Sequence, residues 1–100
     1  MPANNPVCTG GCNTLAVAAP TSNTVVKGVG GYLHRVLVVA ANGANPILIY
    51  DNATTNSGTV IGIVPANSAI GTIIDCNMPA ALGITIAATA SSGALTVSYD

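Results

Sequence analysis

Hydrophobic positions along the chain come in short runs, and each run ends in turn chemistry. From Thr14 onward, stretches rich in Val, Ile, Leu and Thr alternate with clusters of Gly, Pro, Asn and Ser. TLAVAA (14–19) ends at Pro20, TSN (21–23) reads as a turn, and TVVK (24–27) ends at GVGG. YLHRVLVVAA (32–41) is the longest run. It stops at Asn42-Gly43, a dipeptide suited to the tight turn of a β-hairpin. PILIYD (46–51), TVIGIVP (59–65), IGTIIDC (70–76), GITIAAT (83–89) and ALTVSY (94–99) follow, with NATTNSG, NMPAALG and Ala90-Ser91-Ser92-Gly93 among the breaks. Short runs at near-regular spacing predict an all-β fold, a small antiparallel β-sandwich or jelly roll of about eight short strands.

Alternation supports strands. In ALTVSY, Leu95, Val97 and Tyr99 share one face and Thr96 and Ser98 the other. A regular strand over 32–41 puts Tyr32, His34, Val36 and Val38 on one side and Leu33, Arg35 and Leu37 on the other. Val36–Ala41 is apolar on both faces, so this strand belongs in the middle of a sheet or under a neighbouring subunit. No window of useful length carries the 3.6-residue period of an amphipathic helix. The nearest, MPAALG (78–83), is long enough for one helical turn. Residues 1–13, MPANNPVCTGGCN, offer little to bury and read as an extended N-terminal arm ahead of a domain over 14–100.

Composition changes the picture in one respect. Hydrophobic residues make up 50% of the 100-residue chain, an ordinary share, but charged residues make up only 5%. About 25% is typical. Net charge is −1. The polar surface must therefore come from Thr, Ser, Asn and Gly. Such groups lose less on desolvation than ions do, which suits a surface that another protein covers. Nucleic-acid binding needs several cations to neutralise phosphates, and only Lys27 and Arg35 are present. No apolar run reaches the length of a membrane-spanning helix. MPANNPVCTGGC lacks the basic and apolar segments of a secretory leader, which points to synthesis in a cytoplasm.

Candidate chemistry is sparse. The acids are Asp51, Asp75 and Asp100, His34 is the sole histidine, and there is no Glu. No nucleophile-elbow pattern accompanies His34, so the reading is of a non-enzyme with no catalytic residue. His34 is instead a sheet-face or interface contact. Cys8 and Cys12 form a C-x₃-C pair, with Cys76 far along the chain. With His34 they make four potential zinc ligands, but with one close pair where metal knuckles usually have two. A local Cys8–Cys12 disulfide and free thiols are the competing readings, so no metal or cofactor is assigned. Gly28, Gly30 and Gly31 lack phosphate-loop spacing and lead into a strand. Asn52-Ala53-Thr54 matches the glycosylation sequon, although Asn52 after Asp51 also suits a side-chain-stabilised turn. Tyr32, Tyr50 and Tyr99 are the only aromatics, few for a sugar-stacking platform.

HRVLVVAA (34–41), IYDNA (49–53), SGTVIGIVP (57–65), GTIID (71–75), NMPAALGITI (77–86) and ALTVSY (94–99) carry a resemblance by their order. From Leu33 onward the chain resembles small virion structural proteins of tailed bacteriophages. The resemblance implies a compact β-sandwich on the phage particle. Its nearest role is the head decoration or cement protein, which binds the outer capsid surface, stabilises contacts between major capsid subunits and is often a homotrimer. The implied partners are the major capsid protein and further copies of the chain, with no nucleic acid or membrane. The implied location is the virion exterior, after synthesis in the bacterial host cytoplasm. A tail, baseplate or fibre-associated structural or receptor-binding module is the alternative. On this reading Pro2, Asn4, Asn5, Val7, Cys8, Cys12, Thr14 and Leu15 contact the capsid, the arm pairing as an added strand. Tyr32, His34 and Arg35 are the expected self-association residues.

Overall fold

The β-branched runs pair as one long hairpin wrapped around itself. In a computed structural model that describes residues 13–18, 23–87 and 93–100, the strands are β1 (Asn13–Val17), β2 (Thr24–Lys27), β3 (Gly31–Val38), β4 (Ile47–Asp51), β5 (Thr59–Val64), β6 (Ile73–Ala80), β7 (Ile84–Ile86) and β8 (Leu95–Tyr99). Antiparallel ladders join β1 to β8, β2 to β7, β3 to β6 and β4 to β5. This nesting is that of a hairpin whose tip is the loop between β4 and β5. Wrapping adds the β3–β8 and β4–β7 ladders. Two four-stranded sheets result, ordered β1-β8-β3-β6 and β2-β7-β4-β5. This is the jelly roll, a two-sheet form of the all-β sandwich.

The inner faces of both sheets meet in one aliphatic core. Val17, Leu33, Val36, Val38, Leu95 and Val97 come from the first sheet, and Ile47, Ile49, Val64, Ile84 and Ile86 from the second. β8 alternates as its sequence predicts: Leu95 and Val97 are buried, and Tyr99 packs against the core. β3 does not alternate regularly. His34 has no counterpart between Tyr99 and Ser98 on β8, so β3 bulges there. The extra residue turns both Leu33 and Val36 inward, fully buried, and leaves Arg35 and Leu37 facing out. The strand is central, as its two-sided apolar run requires.

Two local expectations are corrected. Asn42-Gly43 does not close a hairpin, because β3 and β4 lie in different sheets. Asn42 is instead buried, and its side-chain amide donates to the carbonyls of Asn45 and Pro65. It thereby ties the β3–β4 connection to the β5–β6 connection. MPAALG makes no helical turn, because Met78, Pro79 and Ala80 extend β6. Proline lacks an N–H and survives in a strand when it lies on an edge; β6 pairs with β3 alone. Asn13, the last residue of the expected arm, pairs with Tyr99 at the start of β1.

Candidate interaction surface at the open β5–β6 edge

β5 and β6 are consecutive strands, and each is the last in its sheet. Their free edges therefore run along one side of the sandwich. Between them lies a cleft of about 360 Å³, with Val60, Ile63, Ile74, Asp75, Cys76 and Met78 in its lining. Gly62 sets how closely the edges approach. A Cβ at this position would sit 2.9 Å from Cys76 Sγ, 3.1 Å from Leu33 Cδ2 and 3.2 Å from Ile49 Cδ1. Burial, with a smaller contribution from the neighbouring Asp75 carboxylate, raises the Cys76 thiol above its ordinary pKa. The thiol is accordingly the protonated form near neutral pH, a poor nucleophile.

The surroundings are apolar and lack free charge. Ile63 is 49% exposed, Ile73 62% and Ile70 70%, with Val60 and Met78 also exposed. β5 has no ionisable side chain, and the sole acid of β6, Asp75, accepts a 2.9 Å hydrogen bond from Arg35 Nε. On the outer face of the first sheet, Ala16, Thr96, Leu37 and Ile73 form one cross-strand row, also neutral. Open edges ordinarily carry charges or other devices that deter pairing. Along β5 no charge is present, and the one irregularity is a bulge at Ile61, which has no partner on β4.

Asp51, His34 and Tyr32 have structural partners. Asp51 accepts hydrogen bonds from the backbone N–H groups of Ala81, Leu82 and Gly83, at 3.0, 2.8 and 3.4 Å. The bond from Leu82, then that from Ala81, hold its carboxyl below the usual carboxylate pKa. His34 Nε2 lies 2.9 Å from Asp100 Oδ2, and the Tyr32 ring packs on the imidazole at 4.6 Å between centroids. Tyr32 also donates to the carbonyl of Asn77. The expected self-association residues Tyr32, His34 and Arg35 thus each have an intrachain contact, and Arg35 alone of them is exposed. Thr14 is exposed on β1, whereas Leu15 packs against the core. Pro2, Asn4, Asn5, Val7, Cys8 and Cys12 lie outside the described residues.

The sequon asparagine serves its own loop. Asn52 Oδ1 accepts from the N–H groups of Thr54 and Thr55, and its amide nitrogen donates to the carbonyl of Ser57. Among the described residues, no three His, Cys, Asp or Glu side chains are grouped to hold a metal ion, and no helix is long and apolar enough to cross a membrane. The cleft residues Val60, Ile63, Ile74 and Met78 were not singled out from the sequence. Apolar side chains on both faces of TVIGIV were the available signal, but only the strand order shows which face lacks a neighbour. No protein family, curated protein or solved structure matches the chain.

Proposed function

We propose that this chain is a structural protein of a tailed-phage particle, a head decoration protein that binds the outer capsid and stabilises contacts between major capsid subunits. The observation that carries the reading is the β5–β6 side, where exposed Ile63, Ile70, Ile73 and Met78 accompany two open strand edges with no unpaired charge on β5 or β6. A side of this kind favours burial against protein, because an aliphatic surface gains on leaving water and free backbone groups gain partners. The neutral row Ala16–Thr96–Leu37–Ile73 supplies a second surface that sheds water at little cost. A rigid two-layer body with adhesive surfaces suits a clamp between neighbouring shell subunits, and the resemblance in sequence order points the same way.

Antibody labelling of intact particles tests the assignment. The expected result is label over the whole head surface and none on the tail. Label confined to the tail would replace decoration with the tail-module reading, and unlabelled particles would overturn both.

A further inference from the structure

We propose that the β5–β6 cleft receives residues 1–12 of a second copy of this chain as an added strand. The inference deepens the assembly role above and rests on it. Three observations select this occupant. The cleft is open along both edges, and an extended segment laid there finds main-chain partners on either strand. Residues 1–12, MPANNPVCTGGC, contain no Asp, Glu, Lys, Arg or His, so they bring no ionic side chain into the cleft. They precede Asn13, which lies in one cross-sheet row with Tyr99, Leu33 and Met78. Asn13 is therefore at the same end of the sheet as the Met78 mouth of the cleft, three strand spacings or about 14 Å away.

Length and side-chain spacing fit as well. Twelve residues span up to about 40 Å when extended, enough to leave one body and line another. Val7–Cys12 is free of proline and as long as a typical strand of about six residues. In an extended segment Cys8, Gly10 and Cys12 fall on one face. That face is small, so it adds little bulk where it would pass Cys76 in the cleft lining.

A second copy is favoured over the chain's own cleft by the placement of the strands. β1 and β6 are the opposite edges of one sheet, so the donating and accepting surfaces differ and point apart. Contacts between unlike surfaces run head to tail and close into rings when the rotation permits. A homotrimeric decoration protein is a ring of this kind.

The test uses the isolated chain without particles, so that copy pairing and particle binding are read separately. Native mass spectrometry is expected to show a closed set of copies, and removal of residues 1–12 is expected to reduce it to single chains. Ile63→Lys, on the exposed cleft rim, is expected to do the same with the arm intact. A single-chain mass for the unmodified protein, or an unchanged copy number after removal of the arm, would overturn the proposal. Isotope-labelled and unlabelled chains are then mixed and oxidised with diamide, which takes two electrons and two protons from each pair of thiols. The expected product joins Cys76 of one isotopic form to Cys8 or Cys12 of the other, and Cys76→Ala removes it. Joining confined to one isotopic form within single chains would place the arm in its own cleft. Absence of any link to Cys76, together with an unchanged copy number after removal of the arm, would remove the arm from the cleft altogether. Either result overturns the proposal.

Discussion

Asp51 is the residue on which the acid stability of the fold turns. Its carboxylate gathers the N–H groups of Ala81, Leu82 and Gly83, so the connection from β6 to β7 is fixed to the end of β4. Those bonds lower its pKa in the folded chain, against an ordinary value of about 3.9. A depressed folded-state pKa stabilises the fold above the unfolded value, and that contribution disappears as pH falls through the folded one. Thermal midpoints measured from pH 7 downward should therefore begin to fall as pH approaches about 3.9, and Asp51→Asn should flatten that part of the curve. Asp51→Ala should lower stability by about 1–2 kcal/mol at pH 7, the scale of exposed charge-assisted hydrogen bonds. Gly62 makes a second residue-scale prediction. A methyl group there meets Cys76, Leu33 and Ile49 at close range, so Gly62→Ala should cost about 1–3 kcal/mol by overpacking, read as a lower urea midpoint. Neither role was legible in the sequence. Asp51 was one of three scattered acids and Gly62 one residue in a strand, and both depend on segments more than ten residues away.

At the scale of elements, strand composition was the legible part. β2 spans the predicted TVVK, and β4, β5 and β8 lie within one residue of their predicted bounds. In each, flanking Gly, Pro or Asn breaks the strand locally, so local chemistry suffices. β6 failed because its bounds are set by tertiary pairing: Pro79 is acceptable only beside a free edge, which no local pattern reveals. The hairpin signal at Asn42-Gly43 failed because β3 finds β6 and β8 as partners and leaves β4 to the other sheet. The absence of charge on β5 gives the element-scale prediction. Ile73→Lys and Ile63→Lys alter exposed side chains, so unfolding free energy should stay within about 0.5 kcal/mol of the parent. Self-association or particle binding should nevertheless fall, because an edge lysine opposes strand addition. A urea titration and sedimentation velocity on the same samples distinguish the two effects.

For the whole molecule, the deficit of charge predicts weak dependence on salt. Screening acts on ionic contacts, and the chain has five residues of the Asp, Glu, Lys and Arg types. Its association with copies or particles should change little between 50 and 500 mM NaCl in a sedimentation assay, whereas an ionic interface would weaken markedly. The jelly-roll order has another consequence, one of timing. β8 occupies an inner slot between β1 and β3, and it is the last of the strands to leave the ribosome. Until it arrives, β1 has nothing to pair with and β3 lacks one of its two ladder partners. The nascent polypeptide thus waits, unable to close, while translation finishes. Chaperone occupancy on stalled ribosomes should persist through β7 and drop only once residues 95–99 clear the exit tunnel.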